Sequence, residues 1–226
     1  NYRDLGIQAG FYPSRQGVVP LSDGAGTIVA VGEGVLGLVP GQLVASCFYP
    51  FWEAGPATER NHSASLGCEM DGLLRHRATL PETAFIETPE HLTASQAATL
   101  PCAAVTAWAA LISRGALVPG EHVLVQGTGG VAVFAVQFAK AMGAKVTVIS
   151  SSDEKLARIR DLGADNTVNY REHPQWSDRV NDLLGGESID LAIELGGAET
   201  LAQSLNCIRV GGRVSVIGVL SGLSLI

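Results

Sequence analysis

The second part of the chain alternates between short apolar runs and amphipathic segments. Runs such as HVLVQ and KVTVIS have the length of a buried strand, and the segments between them repeat apolar residues at helical spacing. The pattern predicts strands at 122–126, 145–150, 167–169, 189–194 and 213–219, separated by helices at 131–142, 153–162, 175–184 and 199–208. This alternation indicates an α/β fold, a doubly wound parallel sheet with right-handed crossovers.

The first part consists of short β-rich runs broken by Gly and Pro. Strands are predicted at 26–31, 42–48, 71–78 and 84–87, and no helical period precedes Thr93. Many short strands between such turns indicate a small barrel or sandwich. Thr93 and Gln96 form a capping-box pattern, which predicts a helix up to residue 114 that Pro101 splits. This change of pattern divides the chain into domains at 1–95 and 96–226.

The composition is that of a folded globular protein. Of its 226 residues 46% are hydrophobic and 16% charged, which allows a sizeable core. A net charge of -7 without a basic run argues against nucleic acid or an anionic membrane as partner. No apolar run reaches the roughly 18 residues of a membrane span.

The cysteines and the first residues bear on location. Four cysteines without a CxxC pair suit a reducing compartment, so we expect a cytoplasmic protein. The chain begins at Asn1 without a signal-peptide pattern, so we also expect a part of a longer protein.

Glycine is in excess, at 27 of 226 residues. Part of the excess lies in GTGGVA at 127–132, which follows the strand HVLVQ, opens a helix and fits G-x-G-x-x-A, a variant of the dinucleotide fingerprint. The first glycine permits a tight turn, and the second lets the backbone approach a pyrophosphate. The helix N-terminus then faces the phosphates with free N–H groups. We therefore predict a dinucleotide site at Gly127, Thr128, Gly129, Gly130 and Val131.

The residues after the second predicted strand of this sheet favour NADP(H), with NAD(H) as the weaker candidate. An NAD site carries Asp or Glu about 20 residues after the fingerprint, where it binds the ribose 2′-OH. Here the strand ends in Ser150, Ser151 and Ser152, followed by Lys155 and Arg158. Hydroxyls and cations would hold a 2′-phosphate, which a carboxylate would repel. Alternatively, Ser152 caps the next helix and Lys155 is a solvated charge.

Seven segments point to a family. They are LSDGAGTIVAVGEGV, LPCAAVTAW, VLVQGTGGV, SSSDEKL, LGAD, NYRE and VGGRVSVIGV. In these segments and their order, which together cover nearly the whole chain, the protein resembles the medium-chain dehydrogenase/reductase superfamily. The resemblance is greatest to its zinc-independent, quinone-oxidoreductase-like branch. Some members of that branch are named alcohol dehydrogenases. The resemblance implies a Rossmann domain at 96–226 and a GroES-like catalytic domain at 1–95, which is incomplete because family members are longer at both ends.

The resemblance also implies roles for single residues. It places Asn1 and Tyr2 in the active-site cleft, where Tyr2 would donate a hydrogen bond or a proton to the substrate oxygen. An ordinary cleft-lining aromatic is the alternative for Tyr2. Further cofactor contacts are implied beside the nicotinamide at Thr106 and near a 2′-phosphate at Tyr170. Others are implied after two strand ends, at Gly196, Gly218 and Val219.

The zinc ligands of the family are replaced here. Zinc-dependent relatives use a Cys near the start, a His-Glu pair before GAG and a Cys before T-A. This chain has Asn1, then Ser22 and Asp23, and only Cys102 keeps a ligand type. Because a catalytic zinc needs three protein ligands, we predict that no metal is bound. His62 is expected to be an isolated loop residue.

These features together predict a zinc-independent NADP(H)-dependent oxidoreductase that transfers hydride to a quinone or an α,β-unsaturated carbonyl. Arg3 stands where zinc-type alcohol dehydrogenases place a proton-relaying hydroxyl, which favours these substrates. A metal-free alcohol dehydrogenase acting on a small alcohol or aldehyde is one alternative. A non-catalytic nucleotide-binding or redox-sensing protein is another. Relatives often form homodimers through an edge strand, here 214–220, unless that strand is simply buried in the sheet.

Overall fold

The structure, a computed structural model, describes residues 1–222 of a chain that divides into two compact units. The first unit covers residues 1–103 and the second begins at Ala104. This division falls inside a helical segment, whereas the sequence placed the domain boundary at 95/96.

The first unit contains a three-stranded antiparallel sheet in the order β1-β2-β3. The strands are β1 (Ala25–Thr27), β2 (Leu43–Ser46) and β3 (Phe85–Glu87). In the central strand Val44, Ala45 and Ser46 are buried. β2 and β3 lie within runs predicted as strands, and β1 begins one residue before its predicted run. All three are shorter than expected.

Two predictions for this unit are wrong. No strand forms at 71–78, because Gly72, Leu73 and Leu74 donate their N–H groups to carbonyls of the loop 19–21 instead of to a strand. Helices do precede Thr93, at α1 (Tyr2–Gln8) and α2 (Glu59–His62). Both are too short to show a helical period, and a glycine inside α1 lowers its intrinsic helix propensity.

The predicted helix after Thr93 forms as a series of short pieces. The capping box is confirmed: Gln96 N donates to Thr93 Oγ1 at 3.3 Å, and Thr93 N donates to Gln96 Oε1 at 2.9 Å. After α3 (Ala94–Ala97), the π-helical turn Leu100–Ala104 contains Pro101. α4 (Val105–Trp108) and a second π-helical turn, Ala109–Ser113, complete the segment.

By length and composition alone, the helical segment Ala94–Ser113 would suffice to cross a membrane. The count of uninterrupted apolar residues missed this, because polar side chains interrupt the run. Core helices of globular proteins pass the same test. In this chain Ala107, Ala110 and Leu111 of the segment are buried in the core of the second unit.

The second unit confirms the predicted doubly wound parallel sheet. Up to residue 222 it has five strands, all parallel, in the order β6-β5-β4-β7-β8, with the first strand in the middle. The strands are β4 (His122–Gln126), β5 (Lys145–Ser150), β6 (Asn166–Asn169), β7 (Ile189–Glu194) and β8 (Ile208–Val216). The helices are α5 (Gly130–Ala141), α6 (Asp153–Asp161), α7 (Trp176–Leu184) and α8 (Leu201–Cys207).

Two hydrophobic clusters cover the two faces of this sheet. Along β4, Val123 and Val125 belong to one cluster and Leu124 to the other, as the alternation of strand side chains requires. The first cluster includes Ala132, Ala135 and Ala139 of α5, whose small side chains let the helix pack close to the strands. The second is filled by Trp176 and Val180 of α7.

The last strand departs from the prediction. β8 begins at Ile208 rather than 213, and its register shifts opposite Ile189 and Leu191. It is the outer strand of the described sheet, and none of its residues is buried, so the interpretation of a strand buried in the sheet is wrong.

Candidate cofactor and substrate sites

The parallel sheet brings the carboxyl ends of its strands to one edge, where doubly wound sheets bind ligands. Predicted cofactor residues lie at or just after the ends of all five strands. They are Gly127 to Val131 after β4, Ser150 and Ser151 at β5, Tyr170 after β6, Gly196 after β7, and Gly218 and Val219 after β8. Thr106 lies apart from this edge in sequence, half-buried on α4. Their binding roles stay predictions.

The loop after β4 has the geometry that the fingerprint requires. Gly127 has φ +75°, a left-handed conformation, and its N–H donates to Ile149 O at 2.7 Å. Gly129 is the N-cap of α5 with φ -80°, which any residue adopts, and a Cβ there would meet nothing within 4 Å. Packing of the described residues therefore does not explain a glycine at 129, and the open space leaves room for a ligand to approach the backbone.

The N-terminus of α5 is open to a ligand. No side chain caps it, although the first N–H groups of a helix have no partner within the helix. These donors and the positive end of the helix dipole favour an anion. The residues present thus fit the pyrophosphate of a dinucleotide.

The three serines after β5 have different environments. Ser150 is buried, and its carbonyl accepts from Tyr170 N at 3.0 Å. Ser151 is half-buried. Ser152 caps α6 by accepting from Lys155 N at 3.4 Å, which confirms the alternative interpretation of this serine. Ser151 has no capping role, and Lys155, in the first turn of α6, is exposed.

Two of the predicted glycines are explained by the protein itself. A Cβ at Gly196 would stand 2.3 Å from Thr200 Oγ1, and one at Gly218 would stand 2.2 Å from the carbonyl oxygen of Leu195. The side chain of Thr200 therefore leaves no room for a Cβ at 196, and the backbone of Leu195 leaves none at 218. Only a contact through their backbone groups remains available to a cofactor.

A buried polar network between β4 and β7 was missed by the sequence analysis. Glu194 is fully buried, and its Oε2 accepts from Gln126 Nε2 at 2.5 Å and from Ser204 Oγ at 2.6 Å. Its Oε1 accepts from Thr200 Oγ1 at 2.5 Å and from the N–H groups of Gly196 and Gly197 at 2.9 and 3.0 Å. The network anchors the loop after β7 to the residue before the fingerprint. A carboxylate ending an apolar strand was its only signal in the sequence.

In the first unit, the positions compared with zinc ligands lie together. Asn1 Nδ2 donates to Ser22 Oγ at 3.2 Å and to Asp23 Oδ1 at 2.8 Å, and the backbone N–H of Cys102 donates to Asp23 Oδ2 at 3.2 Å. These groups satisfy one another. Within residues 1–222, no group of three or more His, Cys, Asp or Glu side chains is placed to hold a metal ion.

Burial dominates the electrostatics of this group. Burial raises the pKa of the Cys102 thiol to about 11, and the neighbouring Asp23 carboxylate adds to the shift. Burial also raises the pKa of Asp23, against the hydrogen bond from Asn1. The thiol is therefore neutral at pH 7.

The two residues after Asn1 differ in their surroundings. Tyr2 is 65% exposed on α1, and its role as proton donor stays a prediction. Arg3 is held by the protein: it donates to Leu66 O at 3.2 Å and Ser65 Oγ at 3.1 Å, and its Cζ lies 4.6 Å from the Phe48 ring centroid. Such a fixed guanidinium is a constant positive charge in this region.

His62 is not isolated, in contrast to the prediction. Its Nε2 lies 2.8 Å from the hydroxyl of Tyr49, and the two ring centroids are 4.6 Å apart. Tyr49 also packs edge-on against Phe48 at 4.7 Å, so Arg3, Phe48, Tyr49 and His62 form one continuous group. The partners of this pair are 13 positions apart, so no local motif announces it.

Comparison with known proteins agrees with this architecture. Residues 1–90 match the family described as alcohol dehydrogenase GroES-like domain, and residues 130–225 match zinc-binding dehydrogenase. A crystal structure from Sinorhizobium meliloti 1021, assigned as an alcohol dehydrogenase, is 44% identical with a TM-score of 0.91, covering 100% of this chain and 67% of that one. The chain therefore belongs to the medium-chain dehydrogenase/reductase superfamily of oxidoreductases.

Two curated relatives show the range of names in the family. A zinc-type alcohol dehydrogenase-like protein of Schizosaccharomyces pombe is 46% identical over 96% of this chain and 64% of its own length. An acryloyl-coenzyme A reductase of Sulfurisphaera tokodaii is 31% identical over 96% of this chain and 65% of its own length. The chain thus spans slightly less than two thirds of these proteins.

Solved relatives are named with both nicotinamide cofactors. An NAD-dependent alcohol dehydrogenase is 32% identical, with a TM-score of 0.85 over 96% of this chain and 65% of that one. A mycobacterial protein complexed with NADPH is 28% identical, with a TM-score of 0.81 over 99% of this chain and 63% of that one. NAD(P) is thus the cofactor class of these neighbours.

Proposed function

We propose that this chain belongs to a zinc-independent, NADP(H)-dependent oxidoreductase that transfers hydride to a quinone or an α,β-unsaturated carbonyl. The observation that carries the proposal is the group of Asn1, Asp23 and Cys102. At these positions, the side chains and backbone bond to one another instead of offering ligands to a metal. A reaction without metal then depends on the cofactor and on protein charges near the substrate.

The cofactor part of the proposal is supported by the loop after β4. The backbone at Gly127 and Gly129 and the uncapped start of α5 would hold the pyrophosphate. The absence of a carboxylate at the end of β5, together with Ser151 and Lys155, supports NADP(H). When bound, the dihydronicotinamide supplies the hydride, and the chain's residues orient it.

The substrate part is supported by Arg3 and by one relative. Hydride addition to a conjugated carbonyl leaves negative charge on oxygen, which a fixed guanidinium stabilises. Arg3 is such a group, whereas a hydroxyl would suit alcohol oxidation. Acryloyl-coenzyme A, the substrate in the name of one relative, is an α,β-unsaturated thioester. A cytoplasmic location belongs to the same proposal, supported by four free cysteines.

A metal-free alcohol dehydrogenase is the second candidate, favoured by the names of the Schizosaccharomyces pombe and Sinorhizobium meliloti relatives. The two functions differ in substrate and in direction. A steady-state screen of the purified protein with NADPH and NADH against quinones, enones, aldehydes and alcohols separates them. Turnover of alcohols without turnover of quinones or enones would reverse the order.

Cofactor choice and metal content are tested separately. Fluorescence titration should show tighter binding of NADPH than NADH, and Lys155→Gln should weaken NADPH binding about tenfold, equivalent to ~1.4 kcal/mol. Arg179→Gln, at an exposed position on α7, is the charge-matched control and should change nothing. Tight NADH binding with weak NADPH binding would contradict the cofactor assignment. One zinc per chain by elemental analysis would contradict the metal assignment.

A further inference from the structure

We infer that Tyr49 and His62 form the proton-donating pair for the reduced substrate, with Tyr49 as the catalytic acid and His62 as its positioning and reloading partner. The inference rests on the proposed function, because reduction of a conjugated carbonyl needs one proton for each hydride.

The pair has the geometry of a phenol activated by an imidazole. The Tyr49 hydroxyl and His62 Nε2 are 2.8 Å apart, within the range of a good hydrogen bond. The ring centroids of Tyr49 and His62 lie 4.6 Å apart, with an angle of 34° between the ring planes. Trp52 packs against Tyr49 at a centroid distance of 5.8 Å, and its indole N–H stabilises the loop by donating to Gly55 O. Both side chains are thus held in place before any ligand binds.

The position of His62 is also defined locally. α2 is a single turn that begins with a capping box: Thr58 N donates to Asn61 Oδ1 at 2.7 Å, and Asn61 N donates to Thr58 Oγ1 at 3.3 Å. His62 is the last residue of this turn and is exposed, whereas Tyr49 is half-buried. Tyr49 is therefore the better shielded member of the pair, and His62 is the member that can exchange protons with water.

The pair adjoins the groups already assigned to the substrate region of the first unit. Arg3 lies over Phe48, which packs against Tyr49. Burial raises the pKa of Tyr49, Arg3 opposes this, and Glu69, Cys68 and Cys102 add to it. Tyr49 therefore keeps its proton at neutral pH until a stronger base, such as an enolate, forms beside it. Tyr2, the donor expected from the sequence, is more exposed.

Hydride transfer to a conjugated carbonyl produces an enolate. The hydride adds to the β-carbon, the pair of electrons of the C=C bond forms a new bond between the α-carbon and the carbonyl carbon, and the π pair of the C=O bond moves onto oxygen. NADPH is oxidised to NADP⁺. The O–H bond of Tyr49 breaks as its proton passes to the enolate. His62 Nε2–H then returns a proton to the phenolate while His62 Nδ1 takes up a proton from the solvent. Arg3 stays charged throughout.

Two substitutions test the pair in the whole protein. Tyr49→Phe should lower kcat for an enone about 100-fold and leave the Kd for NADPH unchanged, because proton donation is worth at least this factor. His62→Gln should lower kcat less than Tyr49→Phe does, with little change in KM. His91→Gln, at an exposed position in a distant segment of sequence, should match the unchanged protein.

Further readouts separate chemistry from folding. The imidazole nitrogen shifts of His62, measured by NMR without substrate, should change in Tyr49→Phe while the unfolding midpoint stays the same. The solvent isotope effect on kcat should rise in His62→Gln as proton supply becomes limiting. Normal kcat in Tyr49→Phe, with loss of kcat in Tyr2→Phe, would overturn the inference. An unsubstituted protein that reduces neither enone nor quinone would instead overturn the proposed function.

Discussion

In the buried network after β7, replacing either Glu194 or Gln126 alone should lower the free energy of unfolding. Exchanging the two residues in a double variant should restore part of it. In Glu194→Gln, an amide replaces the carboxylate that accepts from Gln126 Nε2 at 2.5 Å. The Gln126 amide cannot turn to compensate, because its Oε1 accepts from Leu195 N at 3.1 Å and Gly196 N at 2.9 Å. Two N–H donors therefore face each other in a fully buried place.

The size of the effect follows from the hydrogen bonds lost. A buried donor without an acceptor costs about 1–3 kcal/mol, and the reversed orientation of the new amide would leave the N–H groups of Gly196 and Gly197 unpaired instead. Gln126→Glu alone places two carboxyl groups against each other and should cost at least as much. The double variant Glu194→Gln with Gln126→Glu restores a donor facing an acceptor. Its coupling free energy should be about 1–3 kcal/mol.

Urea unfolding followed by circular dichroism measures the four members of this cycle. A loss of this size is a visible part of the roughly 5–15 kcal/mol that keeps a protein folded. Glu199→Gln is the matched control, because Glu199 is exposed five residues further on and its replacement should stay within about 0.5 kcal/mol. Additive losses in the double variant, without recovery, would refute the reasoning that donor and acceptor polarity holds this network.

Three further predictions use glycines and one histidine. Gly129→Ala should weaken NADPH binding more than tenfold without lowering the urea midpoint, because its Cβ meets only open space, whereas Gly32→Ala, equally open, should affect neither. Gly127→Ala should lower both binding and stability, the latter by about 1–2 kcal/mol, because its φ is +75°. Unchanged NADPH binding in both the Gly129→Ala and the Gly127→Ala variant would contradict a phosphate site at this loop. Burial lowers the pKa of His122, so the unfolded chain takes up a proton first as pH falls below about 6.5. Its contribution to stability is therefore complete above that pH and is lost towards the lowered folded pKa. His122→Gln should make the unfolding midpoint depend less on pH between pH 7 and 5. If this pH dependence is unaltered, His122 is not its cause.

The second unit was predictable because its signals are local. Each buried strand is an apolar run of the right length, and each helix repeats its apolar residues at helical spacing. The turn after β4 is recognisable by its closely spaced glycines. The observed bounds of α5 and β5 lie within a residue or two of those predicted. The first unit was harder, because strands of three or four residues carry little pattern. The segment 71–78 has the composition of a strand, but its N–H groups pair with a loop.

The sequence by itself determined the family, the parallel sheet and the place of the glycine-rich loop after β4, because each depends on residues that are neighbours along the chain. Only the tertiary structure decided which distant side chains meet. It brought Glu194 to Gln126 and Ser204, and Tyr49 to His62. It also showed why glycine stands at 196, where the Thr200 side chain fills the space, and at 218, where backbone does. At 129 packing does not explain the glycine. The sequence alone shows an excess of glycine without explaining it. The space around each glycine distinguishes positions where packing requires glycine from positions where the backbone is open to a ligand.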